Sequence, residues 1–241
     1  MTKLLYLEDS YRTEAFATVL DITEKGCVLL DESLFYPTSG GQPGDSGHLI
    51  WADGEMNIEI AQKMDDGTVV LVPAGGQPLP VVGTKLTQSI DWDKRYRHMR
   101  MHTALHLLSV VIPLPVTGGA ITAEKSRLDF DMPEAPREKE EISDRLNALI
   151  QRELITRETW INEEELDNNP SLIKTLSVKP PKGVGHIRLV RIGQGASHVD
   201  LQPCGGTHVK QTGEIGRVRI SKIEKKGRRN RRVHVVFDKE N

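Results

Sequence analysis

His102-Thr-Ala-Leu-His106 and Cys204-Gly-Gly-Thr-His208 are the two stretches around which the rest of the chain is arranged. In the first, two histidines stand four residues apart within an apolar run, so on a helix both lie on one face, one turn apart. The second adds a cysteine and a third histidine. The glycines between them, Gly205 and Gly206, leave the backbone free to turn so that the two side chains can converge. Three imidazoles and one thiolate form a donor set that suits Zn²⁺.

Each stretch taken alone has a simpler explanation. A histidine pair at this spacing on an apolar helix is more often part of the core than a ligand pair, and a single Cys-x₃-His is weaker evidence still. Together the two stretches would bury several unpaired polar groups, each at a cost of about 1–3 kcal/mol. The combination therefore predicts one zinc ion per chain, bound by His102, His106, Cys204 and His208. The chain is long enough that this metal need not be its scaffold.

Composition limits the class of protein. The chain has 241 residues, of which 37% are hydrophobic, and a formal net charge of −2, which describes a soluble globular protein of one large or two ordinary domains. With only two cysteines, Cys27 and Cys204, a disulfide framework is not expected, which points to a reducing compartment. The apolar start of the chain meets a charge too soon for a signal peptide or membrane span. We therefore expect a cytoplasmic protein that does not associate with membranes.

Residues 1–90 are predicted to form a small β-barrel or sandwich, because short β-prone runs alternate with Gly and Asp turns. The predicted strands are Ala15–Leu20, Gly26–Leu30, His48–Trp51, Thr68–Val72 and a closing strand at Val81–Ile90. A loop at residues 34–47 holds four glycines and two prolines in fourteen residues. It is either a plain irregular loop or a place where backbone N–H groups approach a ligand phosphate or sugar.

Residues 91–241 mix helices with strands and predict an α+β domain. A helix is expected to begin at Asp91, to carry the two histidines and to end before Pro113. A second, amphipathic helix is predicted over residues 136–154 from its apolar periodicity. The predicted strands are Ser126–Asp131, Ile187–Ile192, Gly216–Ile223 and Arg232–Phe237.

A basic cluster lies between the last two predicted strands. It has six cations in eight residues: Lys225, Lys226, Arg228, Arg229, Arg231 and Arg232. A solvated hairpin tip is one explanation. Because six neighbouring cations repel one another unless a polyanion attends, a phosphate backbone is the favoured partner.

Three motifs in this order resemble a known family. They are Phe35-Tyr-Pro-Thr-Ser-Gly-Gly-Gln-Pro-Gly-Asp45, Met101-His-Thr-Ala-Leu-His-Leu-Leu108 and Cys204-Gly-Gly-Thr-His-Val209. Together they resemble the editing region of alanyl-tRNA synthetase and, more closely, its free-standing relatives, the AlaX-type alanyl-tRNA editing proteins. The likeness covers nearly the whole chain and matches the longer class with an N-terminal barrel. It implies a β-barrel domain at 1–90 and, at 91–241, a two-layer α+β editing domain that contains zinc and an antiparallel sheet.

The resemblance also implies an activity. The chain is expected to be a stand-alone, ATP-independent aminoacyl-tRNA hydrolase that acts at the acceptor end of tRNA(Ala). Its expected substrates are chiefly Ser-tRNA(Ala), with Gly-tRNA(Ala) as a further one, since a pocket shaped for alanine cannot reject either strongly enough. The family carries zinc at the positions of the four ligands named above. No catalytic side chain is predicted beyond a zinc-bound water, and His208 is the ligand expected to yield to that water.

Contacts to the substrate are predicted on both domains. Glycines would let the terminal adenosine approach, and threonines would hydrogen-bond the serine hydroxyl. The predicted contacts are Gly40, Gly41, Gly205, Gly206, Thr207, Thr117 and Thr122. The stretch at residues 111–120 holds two prolines and departs from the Gly- and Gln-bearing sequence common there in synthetases.

Two other functions remain open at this point. One is a non-catalytic tRNA-binding module with structural zinc, which differs in having a buried and fully ligated metal. The other is a metallohydrolase of small esters, which leaves the basic cluster and the Gly-rich loop unexplained. The oligomeric state is open, with a monomer favoured.

Overall fold

Strands dominate the fold, which is α+β with a closed barrel and few helices. The computed structural model describes residues 2–134, 138–175 and 185–238. The chain divides into two compact units, Met1–Tyr96 and Arg97–Asn241, where the sequence predicted a boundary near residue 90. In chain order the elements are β1 Lys3–Leu4, β2 Glu14–Ile22, β3 Val28–Leu30, β4 Glu32–Ser33, β5 Gly47–Trp51, β6 Gly54–Lys63, β7 Val69–Pro73, β8 Lys85–Ile90, α1 Trp92–Val111, β9 Val116–Ala120, β10 Lys125–Asp131, α2 Lys139–Gln151, β11 Thr156–Asn162, α3 Glu163–Asp167, β12 His186–Ile192, β13 Asp200–Pro203, β14 Val218–Lys225 and β15 Asn230–Phe237.

The first unit is a closed antiparallel barrel with strand order β2-β3-β7-β6-β5-β8. Alternating side chains face inward, so Ala15, Ala17 and Val19 of β2 join a buried core that includes Leu49 of β5 and Leu71 of β7. Closure removes the exposed strand edges that an open sheet would leave.

The Gly-rich loop at residues 34–47 is ordered by its own chemistry. Gly40 and Gly41 both have positive φ, and Ser39 and Gln42 exchange backbone hydrogen bonds across them, which makes a tight two-residue turn. At Gly44 a Cβ would lie 2.0 Å from the carbonyl oxygen of Ala61, so only glycine fits against the neighbouring strand. The composition of this loop thus serves turn formation and close backbone packing.

A buried ion pair stabilises the same loop. The Arg95 guanidinium, fully buried, donates through Nε to both carboxylate oxygens of Asp45 at 2.9 Å and also pairs with Asp45 through Nη2. Its remaining donors bond the carbonyl oxygens of Ser10 at 3.0 Å and Leu34 at 2.7 Å. Asp45 in turn accepts from the backbone N–H of Tyr36 at 2.6 Å. The pair therefore satisfies buried polar groups of the loop and of the N-terminal segment at Ser10.

The described residues of the second unit form two antiparallel sheets, where the sequence predicted a single one. One has the order β14-β15-β10-β9 and the other the order β11-β12-β13. Helix α2 packs on β14, and the Asn147 side chain replaces a strand partner: it donates to the carbonyl of Val218 at 2.7 Å and accepts from its N–H at 3.0 Å. Helix α3 packs against β12, where Leu166 meets Ile187 and Leu189.

Several predicted elements need correction. Strand β6 was not predicted, because its polar outward residues interrupt the apolar signal, and β11 was missed because it holds only two large apolar residues. The predicted strand at residues 81–90 begins only at Lys85, since Val81 and Val82 are exposed and Gly83 makes a turn. Helix α2 ends at Gln151 rather than at residue 154, while its predicted start at residue 136 lies outside the described residues. Among the described residues, no helix has the length and apolarity to cross a membrane.

Candidate metal centre

Helix α1 presents His102 and His106 on one face. The two rings lie 5.2 Å apart, centroid to centroid, and each residue is 7% exposed. The helix forms here because Met99, Met101 and Leu105 bury its apolar sides, and it ends at Val111, ahead of Pro113 as predicted.

Cys204 directly follows strand β13, which positions it next to these histidines. Backbone pairing with β12 continues one residue past the strand, where the Cys204 N–H donates to the carbonyl of Arg188 at 3.1 Å. The buried Arg188 guanidinium then donates through Nη1 to the carbonyls of Cys204 and Gly206, at 2.8 and 2.9 Å. One arginine thus holds the turn through Gly205 and Gly206 in place.

The four predicted ligands converge. One ligand atom from each of His102, His106, Cys204 and His208 lies within 4.8 Å of all the others, and the group could hold one metal ion. Cys204 Sγ lies 3.4 Å from His102 Nε2 and 3.3 Å from His208 Nε2.

Hydrogen bonds determine which ring nitrogen of His106 and of His208 faces the cluster. The Thr103 hydroxyl donates to the carbonyl of Met99 at 2.9 Å, so its oxygen must accept from His208 Nδ1 at 3.1 Å. Likewise His106 Nδ1 donates to Asp200 Oδ2 at 2.8 Å. In both rings Nε2 is therefore the nitrogen available to a metal, the arrangement typical of ligating histidines.

Asp200 connects the ligand His106 to polar side chains outside the His/Cys cluster. It is 1% exposed, accepts from Gln202 Nε2 at 2.9 Å and pairs with Lys174 Nζ. Asp200, Lys174 and Thr103 were not predicted from the sequence. The alternation of β13 was the available signal, since Asp200, Gln202 and Cys204 stand at i, i+2 and i+4 and so share one face.

The titration of these groups reflects burial opposed by close partners. Burial alone would raise the pKa of Asp200, but His106 and Lys174 outweigh it and lower that pKa to about 2. Burial lowers the pKa of His106, yet bonds to Asp200 and Cys204 raise it to about 9. Burial would raise the pKa of Cys204, but the neighbouring imidazoles, His102 first, bring it well below its usual range. For His208, burial and the charge of His102 lower the pKa to about 3. The site therefore presents a thiolate and a neutral His208, and a metal bound here would have to displace a proton from His106.

Comparisons with known proteins identify the family of this chain. Residues 187–234 match the family model of the threonyl and alanyl tRNA synthetase second additional domain, and residues 6–94 match that of class II (A) tRNA synthetases. The alanyl-tRNA editing protein AlaX-M of Methanosarcina mazei is 37% identical over an alignment that covers 97% of this chain and 96% of that protein. The chain belongs to the AlaX family of alanyl-tRNA editing proteins. The AlaX-M protein of Saccharolobus solfataricus is 33% identical over 97% of the chain, and 98% of that protein is covered. An alanine–tRNA ligase of Pyrobaculum arsenaticum is 34% identical over 93% of the chain, which corresponds to 25% of that ligase.

The predicted substrate contacts of this AlaX chain lie in different settings. Gly205 is exposed, and a Cβ there would meet no atom within 4 Å, whereas Gly206 and Thr207 are buried in the turn between Cys204 and His208. Gly40 and Gly41 form the exposed turn of the barrel loop. Thr117 accepts from Asn230 Nδ2 at 3.1 Å. Thr122 uses its hydroxyl to close the turn before β10, donating to the carbonyl of Lys125 at 2.8 Å.

The basic cluster has partners within the AlaX chain itself. Arg229 forms two bonds with Asp131, at 3.0 and 2.9 Å, and Arg232 forms two with Asp129, both 2.8 Å. Lys226 pairs with Glu224 at 2.9 Å. Arg231 is buried, and its guanidinium bonds the backbone carbonyls of residues 133, 227 and 230.

Two cations of the cluster differ from the rest. Lys225 and Arg228 are exposed and form no ion pair with any residue that the structure describes. The sequence predicted that the six cations would repel one another. In the folded chain, neighbouring carboxylates and backbone carbonyls pair with most of them and so relieve this repulsion. Lys225 and Arg228 therefore carry the positive charge of the cluster that is not neutralised by an acidic side chain among the described residues.

Proposed function

We propose that this chain is a trans-editing hydrolase that cleaves the ester of mischarged tRNA(Ala), chiefly Ser-tRNA(Ala), with Gly-tRNA(Ala) as a further substrate. The observation that carries the proposal is the convergence of four nitrogen and sulfur ligands within a chain of the AlaX family. Deacylation of Ser-tRNA(Ala) by the purified protein tests it.

Zinc is the metal that fits this donor set. Tetrahedral zinc with nitrogen ligands at 2.0–2.1 Å and sulfur at 2.3 Å would separate N and S by about 3.6 Å, close to the 3.3 and 3.4 Å measured from Cys204 Sγ to His208 and His102. Nitrogen and thiolate ligands also suit zinc better than the oxygen-loving divalent ions. When bound, zinc would supply a Lewis acid that polarises the ester carbonyl or lowers the pKa of a water.

The chain's own residues would prepare the site. Asp200 orients His106 and Thr103 orients His208, so the ligand nitrogens need little rearrangement. Arg188 fixes the Cys204 turn, and exposed Gly205 leaves that side open to the terminal nucleoside. We further propose that the backbone at Gly206 and Thr207 lines the reacting ester.

The other predicted contacts stay proposals of the same kind. Gly40 and Gly41 would offer backbone N–H groups to the tRNA. Thr117 and Thr122 are weaker candidates for reading the serine hydroxyl, because the Thr117 hydroxyl already accepts from Asn230 and the Thr122 hydroxyl already closes the turn before β10.

One observation favours the second candidate function, a tRNA-binding module with structural zinc. All three ligand histidines are buried, with 7% exposure at most, as expected for a closed site. The consequences of losing Cys204 separate the two functions, because a structural metal stabilises the fold and a catalytic one need not.

Lys225 and Arg228, the two cations of the basic cluster without an ion pair among the described residues, should contribute most of the cluster's salt-dependent binding to tRNA. Replacing Lys225 and Arg228 together with glutamine should weaken binding similarly for tRNAs of different sequence and flatten the dependence of log K on log salt by about two units. Binding isotherms at a series of salt concentrations give both quantities.

A matched control removes two exposed lysines of the barrel, Lys25→Gln with Lys63→Gln, which changes the net charge equally. If the Lys225/Arg228 variant kept the wild-type affinity and salt dependence, the cluster would be a solvated hairpin tip that does not bind tRNA.

A further inference from the structure

Trp160 is the one Trp, Tyr or Phe side chain that stands exposed among the described residues of the second unit. It is 52% exposed near the middle of β11, at an edge of the three-stranded sheet. The exposed half of this large apolar ring contributes no burial to folding, and exposed aromatic side chains are enriched where ligands bind.

Strand register places Trp160 in line with the metal cluster. Trp160 stands directly opposite Arg188 of β12, and Arg188 stands opposite Cys204, because Leu189 pairs with Pro203 one position along. Directly opposed residues of antiparallel strands point to the same face. Trp160 and Cys204 therefore share one face and lie two strand spacings, about 10 Å, apart.

The contacts of Arg188 confirm this face. Its Nη1 bonds the carbonyls of Cys204 and Gly206, while its Nη2 bonds Glu158 Oε1 at 3.1 Å. Glu158 is two residues before Trp160 on β11 and so lies on the same side of the strand. The Arg188 side chain thus joins β11 to the Cys204 turn on the face that Trp160 shares.

The opposite face of the sheet is already filled. Leu166 of α3 packs there with Ile187 and Leu189, and Ile161, the neighbour of Trp160, joins them. Trp160 is outside this cluster. Its indole is directed to the face that carries the metal site, with exposed His186 on the adjacent strand.

We propose that Trp160 is the stacking surface for the terminal nucleobase of the tRNA whose ester lies at the His/Cys cluster. The inference rests on the proposed function, which places the esterified 3′ nucleoside at that cluster. Two strand spacings are comparable with the length of a nucleoside, so a base can reach the indole while its ribose ester reaches the metal. Stacking accepts any base because every base has a π-face, and it suits an end that is single-stranded.

Fluorescence tests the contact directly. In a Trp51→Phe/Trp92→Phe variant the only remaining indole is Trp160. Titration with an RNA minihelix ending in single-stranded CCA should quench its emission, and the same RNA without the terminal adenosine should quench it far less. Equal quenching by both RNAs, or none by either, overturns the proposal.

Kinetics tests its consequence. Trp160→Ala should raise KM for mischarged tRNA about 5- to 150-fold, the range for losing one base–aromatic stack, with a much smaller change in kcat. Trp160→Phe should recover most of the loss, and Leu114→Ala, which trims another exposed apolar side chain of this unit, should leave KM unchanged.

The two proposals fail separately. A Trp160→Ala protein that melts like the wild type and keeps its KM overturns the stacking role while deacylation by the wild type stands. A wild type without deacylase activity defeats the proposed function, and the fluorescence comparison then still decides whether Trp160 contacts the base.

Discussion

Replacing Cys204 by alanine is expected to slow deacylation of Ser-tRNA(Ala) at least a hundredfold and to leave the melting temperature nearly unchanged. On the proposed function, the thiolate is the sole sulfur ligand of the cluster, and its loss would remove a zinc ion whose Lewis acidity would be worth several kcal/mol in the transition state. Since about 1.4 kcal/mol is tenfold in rate, a hundredfold loss is a lower bound. Both units bury extensive apolar cores, so one metal should not decide their folding.

Three measurements on this variant belong together: metal content, a deacylation time course and a thermal melt. Cys27→Ala, at the other free cysteine, is the matched control and should keep its zinc and its rate. A Cys204→Ala protein with undiminished zinc refutes the ligand assignment. One that melts normally and deacylates at the wild-type rate refutes catalysis at this centre, whereas failure to fold favours the structural-zinc function.

Arg95→Met is expected to have the largest effect on stability, lowering the free energy of unfolding by about 3–5 kcal/mol, the usual cost of removing one partner of a buried ion pair. Methionine matches the length of the arginine stem but leaves the Asp45 carboxylate, 2% exposed, without its counter-charge. It also strands the carbonyls of Ser10 and Leu34. Urea denaturation followed by tryptophan fluorescence measures the loss.

The double variant Arg95→Met/Asp45→Asn is the control for this mechanism. Asparagine keeps an oxygen for the Tyr36 N–H but carries no charge, so the double variant should be more stable than Arg95→Met alone. Equal stability of the two would show that the lost carbonyl bonds, rather than the unpaired charge, cause the destabilisation.

The ligand set could be predicted from sequence because each half is local. A spacing of four residues on a helix and a Cys-Gly-Gly-Thr-His turn constrain their own side chains. The outer partners could not be predicted in the same way. Asp200 reaches His106 across 94 positions of sequence, and only the folded register brings Lys174 to the same carboxylate.

The pairing of the basic cluster could not be predicted from sequence either, because its partners are distant in the chain. Sequence counts six cations but does not show that Asp129 and Asp131, about a hundred residues earlier, pair with two of them across adjacent strands. Trp160 was overlooked for a related reason. Its strand is mostly polar, and the strand had to be assigned before the face it shares with Cys204 could be known.

Side-by-side deacylation of Ser-tRNA(Ala) and Ala-tRNA(Ala) by the purified zinc-loaded protein tests the central claim most directly. A polar site can hold the serine hydroxyl by hydrogen bonds that alanine cannot make, so the rate on Ser-tRNA(Ala) should be much the higher. Hydrolysis of Ser-tRNA(Ala) with Ala-tRNA(Ala) largely spared is the predicted result. Equal rates on both substrates, or no hydrolysis of either, would contradict the account.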